Sequence, residues 1–228
     1  MSETDALTHI SNFCDIIKVA NRQEWLKLRR TGIGGSDVAG ILGISRFKTP
    51  LDIYNDKLSS EDPEEITNKA IEFGNDCEDA LVSIFRAKYK DRYEVFLLKD
   101  YLFRNKQHPF LLASIDGFLY DKLLKCWGVL EIKTKQDRYT GWENFGVPDE
   151  YMTQGMHYNI VLPISFVTYL GAINYNFDNG QDTAVKILQP RTFFENDWYA
   201  DMKNQLNMCG IFWENIKNRK PPVMQMRF

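Results

Sequence analysis

Inside the strand-forming run from Trp127 to Thr134, the residues Leu130-Glu131-Ile132-Lys133 alternate apolar and charged side chains. Side chains on a strand point alternately to its two faces, so Leu130 and Ile132 enter one layer while Glu131 and Lys133 stand together on the other. A second strand signal, Phe110 to Tyr120, is separated from the first by a turn at Asp121–Lys125, which predicts a hairpin. The earlier strand carries Ser114-Ile115-Asp116-Gly117, with Asp116 fifteen residues before Glu131. Hairpin pairing would let these two carboxylates meet.

The remaining pattern surrounds that hairpin with helices. Ile10, Phe13, Ile16 and Ile17 predict an opening helix, and Trp25, Leu26 and Leu28 a second. Next comes the turn Gly32-Ile33-Gly34-Gly35-Ser36-Asp37, where Ser36 or Asp37 caps a helix from Val38 to Leu42, and Pro50 opens another that runs to Leu58. After the acidic linker Ser59–Pro63, a long helix is predicted over Glu64–Tyr89. One apolar stripe on it passes through Ile66, Ala70, Phe73, Cys77, Leu81 and Ile84, and a second, Ile71, Gly74, Glu78, Val82 and Phe85, holds a carboxylate in an apolar row. A strand over Glu94–Leu98 precedes the hairpin. A helix over Tyr151–Leu162 follows it, stopped by Pro163, then paired strands Phe166–Tyr175 and Thr183–Leu188 across Asp178-Asn179-Gly180, and a closing helix Thr192–Lys217. Pro221-Pro222 ends the folded part. This order predicts an α/β or α+β layer architecture without internal repeats.

Composition removes several function classes. The chain has 228 residues, a net charge of -3 and 44% hydrophobic residues, with no apolar run long enough to span a bilayer and a polar, acidic N-terminus. The expectation is a cytoplasmic protein without membrane association. Cys14, Cys77, Cys126 and Cys209 are scattered and only three histidines occur, which points to reduced thiols and away from zinc fingers and iron–sulfur clusters. Charge is asymmetric: residues 18–48 carry seven basic and two acidic side chains, and residues 52–79 carry ten acidic and two basic. A basic face beside acidic metal ligands suits nucleic acid, and two solvated faces of opposite sign account for the charge equally well.

Two carboxylates sharing a site suit Mg²⁺, or Mn²⁺ in its place, because hard cations prefer oxygen ligands and take further oxygens from a phosphate. Lys133 beside them can orient a water and neutralise charge building on an attacked phosphate. In isolation the same residues also read as a solvated Glu131–Lys133 pair with a turn at Asp116-Gly117.

Five blocks together resemble the lambda-exonuclease or YqaJ-like viral recombinase branch of the PD-(D/E)XK nucleases. They are Trp25-Leu26-Lys27-Leu28-Arg29-Arg30-Thr31-Gly32-Ile33-Gly34-Gly35-Ser36-Asp37, Phe73-Gly74-Asn75-Asp76-Cys77-Glu78, Ala113-Ser114-Ile115-Asp116-Gly117, Leu130-Glu131-Ile132-Lys133-Thr134 and Tyr151-Met152-Thr153-Gln154. The resemblance implies a restriction-endonuclease-like core, a central mixed sheet flanked by helices, in one nuclease domain over 1–228. Within it, residues 1–58 hold the N-terminal helices and a phosphate-binding turn, about 64–190 the catalytic core and about 192–217 the closing helix. It further implies that Asp116, Glu131 and the Ile132 carbonyl bind metal, that Lys133 helps activate water, and that Glu78 supports the metal or its water. Gln154 would orient the lysine, the water or a phosphate.

Arg29 and Ser36 match the family's pocket for a terminal 5′-phosphate, with Arg30 sharing the role. A helix N-terminus behind glycines and a bidentate arginine are physically suited to it. A plain N-cap beside a surface arginine is the alternative. Ser114 is expected to share the strand face of Asp116 and touch a phosphate or pack, and Lys135 to contact the DNA backbone or solvent. His157 stands where the family often has a second glutamine, and is expected on the helix surface or in packing. Trp142 is a base wedge or a core aromatic. The implied activity is Mg²⁺-dependent 5′→3′ degradation of one strand of linear double-stranded DNA, leaving 3′ tails. Implied too are a trimeric ring, a single-strand annealing partner and phage or prophage origin in a bacterial host. An endonuclease with the same core and a catalytically silent end-binding adaptor are the competing readings.

Overall fold

The computed structural model describes residues 1–63, 69–136, 146–175 and 184–222. Its opening helix α1 (Glu3–Ser11) begins in a Ser2/Asp5 capping box. The backbone then extends into β1 (Cys14–Lys18), so Ile16 and Ile17 lie on a strand and not on the expected helix. They pair with β4 (Tyr101–Asn105), a strand the sequence reading missed, in antiparallel register from Cys14 opposite Asn105 to Lys18 opposite Tyr101. Helix α2 (Arg22–Arg30) is capped by the Asn21 side chain and leads through β2 (Ile33–Gly34) into α3 (Gly35–Ile41). Helix α3 starts three residues earlier than expected, with Gly34 at its N-cap, so Ser36 and Asp37 are not the caps but lie in its first turn, from which Asp37 reaches back to accept the Gly34 N–H at 3.0 Å. Helix α4 (Pro50–Leu58) starts in a Thr49/Asp52 capping box with the proline in its first turn.

Two sheets organise the described residues. The smaller has the order β1-β4-β5-β2, with β5 spanning Leu111–Ala113. The larger has the order β10-β8-β7-β6-β3, with β9 also on β8. Its strands are β3 (Tyr93–Phe96), β6 (Gly117–Asp121), β7 (Cys126–Gln136), β8 (Phe166–Tyr175), β9 (Ala184–Ile187) and β10 (Arg191–Phe194). The β6–β7 hairpin is present, with Gly117 opposite Leu130, and β7 runs parallel to β8. The expected single strand Phe110–Tyr120 is divided: β5 belongs to the small sheet, β6 to the large one, and residues 114–116 pass between them.

The two faces of β7 are used as its alternation predicts. Leu130 and Ile132 pack under helix α5 (Lys69–Lys88) against Leu81, Val82 and Phe85, whereas Val129 joins the opposite core with Tyr158 and Tyr169. Ile84 is 45% exposed, whereas Leu81 of the same stripe and Val82 and Phe85 of the other are buried, so α5 packs along the seam between its two stripes. The opposite core is closed by α6 (Asp149–Val161) and α7 (Tyr199–Lys217). The closing helix starts later than expected: Thr192 to Phe194 extend along β8, and one tight turn at Glu195–Asp197 precedes α7. The architecture is a mixed α+β fold, curled sheets flanked by helices. All four cysteines are free. Among the described residues no helix is long and apolar enough to cross a membrane.

Candidate active site

Asp116 stands on the passage between the sheets, one residue before β6. Its Oδ2 accepts the Ile132 backbone N–H at 2.7 Å, which binds the passage to β7. Glu131, 1% exposed, lies on the α6 side of β7. Its Oε1 receives Lys133 Nζ at 2.5 Å and Gln154 Nε2, from α6, at 2.7 Å. Among the described residues its Oε2 is buried without a hydrogen-bond partner. A buried carboxylate oxygen left unpaired is costly, and a cation ligand is what such an atom lacks. Burial, and then the negative charge of Glu131, push the Asp116 carboxyl well above its ordinary value. Burial alone would lower the Lys133 ammonium, but Glu131 and Asp116 outweigh it and hold the lysine charged.

These groups line a cleft of about 640 Å³ together with Ile132, Thr134, Ser114, Trp25, Arg29 and Ser36. At the α2–α3 wall Arg29 Nη2 donates to Ser36 Oγ at 2.6 Å and to Asp37 Oδ1 at 3.1 Å. Gly35 allows the close approach of α3 to α6, because a Cβ there would stand 2.9 Å from Gln154 Cγ. A second hollow, of about 440 Å³ and lined by Arg22, Lys99 and Asp100, opens onto the same Trp25, Ser114 and Asp116.

The structure thus brings Asp116, Glu131, Lys133, Gln154, Ile132, Arg29, Ser36 and Ser114 into one cleft. Glu78 lines it too, but its Oε1 is ion-paired to Lys99 at 2.8 Å. Among the described residues no group of three His, Cys, Asp or Glu side chains is placed to hold an ion unaided. Arg30 is not on the cleft wall: its Nε donates to Asp56 at 2.9 Å and its Nη1 to the Glu61 carbonyl. The Gly34 N–H, a candidate anion donor, is taken by Asp37. Ser114 is not on a continuous strand with Asp116, and its Oγ accepts Trp25 Nε1 at 3.3 Å. The Lys135 backbone continues β7 opposite Ile173. Trp142 lies outside the described residues. His157 is fully buried and bonds the Leu112 carbonyl through Nε2 at 2.8 Å, a packing role and not a surface one.

Two contributors escaped the sequence reading. Tyr158, one turn after Gln154 on α6, accepts Gln154 Nε2 at 2.6 Å and donates to the Ser114 carbonyl at 3.0 Å, fixing the amide that reaches Glu131. That spacing of four was the available signal. Trp25 has the guanidinium of Arg22 over its ring at 4.0 Å and that of Arg29 at 4.8 Å. An aromatic among arginines before a glycine turn was its signal.

The fold is that of phage-type and alkaline exonucleases. It is similar to the alkaline exonuclease LHK-Exo of Laribacter hongkongensis at a TM-score of 0.59 and 16% identity, over 87% of this chain and 94% of that one. The complex of LHK-Exo with dAMP matches at 0.57 and 16%, over 87% and 96%. A phage-related exonuclease from Haemophilus somnus 129PT matches at 0.50 and 12%, over 86% and 99%. Residues 24–164 match the model of the YqaJ-like viral recombinase domain, and the chain belongs to that family. It is 32% identical over 144 residues to the Uncharacterized protein YqaJ of Bacillus subtilis (strain 168), an alignment covering 62% of this chain and 43% of that relative. The match spans less than half of the relative's length.

Proposed function

We propose that this chain is a divalent-metal-dependent 5′→3′ exonuclease. It degrades one strand of linear double-stranded DNA from 5′-phosphorylated ends and leaves 3′ single-stranded tails for phage-type homologous recombination. The observation that carries the reading is a single cleft joining the Asp116, Glu131 and Lys133 cluster to the Arg29–Ser36 pair. Membership of the YqaJ-like family and the exonuclease fold support it.

Asp116, Glu131 and the Ile132 carbonyl would hold Mg²⁺, with Mn²⁺ as a substitute, and the unpartnered Glu131 oxygen fits that role. When bound, such a cation polarises a phosphoryl oxygen and lowers the pKa of water. The protein's own share follows from its contacts. Lys133, charged and tethered to Glu131, orients the attacking water and offsets charge growing on the phosphate. Gln154, steadied by Tyr158, holds Glu131 in place. Arg29 and Ser36 take the terminal phosphate and so set polarity. A trimeric ring threaded by DNA, and an annealing partner for the exposed tail, belong to the same proposal.

Linear duplex labelled on one strand, with 5′-phosphate or 5′-hydroxyl ends, and closed circular DNA should be incubated with Mg²⁺ and either the wild type or Lys133→Ala. Label lost from phosphorylated linear ends alone, and not with the variant, is the expected result. Cutting of circles would make the chain an endonuclease, and end binding without hydrolysis would make it an adaptor.

A further inference from the structure

Lys57, near the end of α4, has a side chain only 1% exposed, rare for a lysine. Its Nζ donates to Asp37 Oδ2 at 2.8 Å and to the Arg29 carbonyl oxygen at 2.9 Å. Asp37 is itself buried and takes Arg29 on its other oxygen. The neighbouring Asp56 is engaged by Arg30 at 2.9 Å. Among the described residues Asp37 thus carries two cations, Arg29 and Lys57, while Arg30 is paired with Asp56. Of these residues Arg29 lines the cleft and Arg30 and Lys57 do not, so whatever charge Asp37 leaves on Arg29 faces the cleft.

Without Lys57 the count changes. Arg29 would be the sole cation on a buried carboxylate and would have little attraction left for an incoming anion. Stability alone does not account for the arrangement, since buried ion pairs rarely outperform apolar residues of the same size.

We propose that Lys57 is a positioning residue for terminal-phosphate recognition: it neutralises Asp37 so that Arg29, which touches both Asp37 and Ser36, keeps its charge for an anion in the cleft. The proposal rests on the phosphate-pocket reading given above. Its ligand class is a phosphomonoester at a DNA end. No proton or electron moves, because the effect is one of charge and orientation.

The test is the ratio of kcat/KM on 5′-phosphorylated to 5′-hydroxyl duplex ends, measured on the full chain with its metal. Lys57→Met is expected to lower this ratio by about tenfold or more, the scale of one charge-assisted contact to phosphate. Adding Asp37→Asn to Lys57→Met removes both opposing charges and is expected to restore most of the preference, and Lys57→Arg to retain it. A lysine that merely ties α4 to α3 would not be rescued by deleting its partner. Should Lys57→Met fail to fold by circular dichroism, Asp37→Asn alone decides. It leaves Arg29 unopposed, so the KM for phosphorylated ends must fall, and an unchanged or higher KM overturns the proposal. A ratio kept in folded Lys57→Met overturns it as well. A wild-type protein that cuts both kinds of end equally removes the phosphate-pocket reading itself.

Discussion

Lys133 contributes two things at once, a charge for Glu131 and a donor for the cleft. Lys133→Ala should therefore cost on the order of 10²–10³ in kcat, as loss of a charge-stabilising donor does, with binding of phosphorylated ends retained. Single-turnover hydrolysis and fluorescence anisotropy separate the two. His157 makes the opposite use of burial. Desolvation outweighs its bond to Leu112 and pushes it down to about 4. In the unfolded chain a histidine takes up its proton near pH 6.5, so the folded state loses stability as pH falls from there to about 4, by about 3 kcal/mol. Asp116, raised by burial, works in the other direction over overlapping pH because its folded form holds the proton longer. Thermal melts of wild type and His157→Gln isolate the histidine: the variant should lose less stability on acidification.

Close approach between elements is set by small residues. A Cβ on Gly155 of α6 would stand 1.8 Å from Tyr169 Oη on β8, and that hydroxyl donates to the Tyr151 carbonyl at 2.9 Å. Gly155→Ala should push α6 off the sheet, cost about 1–3 kcal/mol by overpacking and carry Gln154 away from Glu131, so a lower denaturation midpoint and a lower kcat should appear together. At this scale some elements are legible in the sequence and others are not. Leu130 to Lys133 alternate because the strand has two different layers, so β7 and its charged pair were legible from residues alone. The carboxylate meeting of Asp116 and Glu131 followed from the hairpin. Ile16 and Ile17 matched a helical spacing with Ile10 and Phe13, and only pairing with β4 makes them a strand. That partner was illegible because Tyr101–Asn105 is buried without alternation. The stretch from Phe110 to Tyr120 reads as one strand because changing sheets leaves no mark on hydropathy. Lys57 left no signal either: a lysine in a polar helix looks solvated until its burial is seen.

At the scale of the whole molecule, the proposed cation would link binding to folding, since Asp116 and Glu131 would share in the folded chain a partner they lack when unfolded. Millimolar Mg²⁺ should raise the melting temperature of the wild type, by about 2.7 kcal/mol of stability at a hundredfold excess over Kd, and should do so much less in Glu131→Gln. A sizing experiment tests the ring: elution as a monomer at micromolar concentration would remove it. The passage between the sheets also fixes a relation between two parts of the cleft. Arg29 is placed by helices beside the small sheet, and Asp116 sits where β5 gives way to β6, only three residues of backbone long. In the proposed reaction the end held by Arg29 and Ser36 and the bond cut at Asp116 would be spaced by the elements that carry those side chains. If the chain cuts as proposed, that frame would work as a gauge, and the size of each released fragment would follow from it.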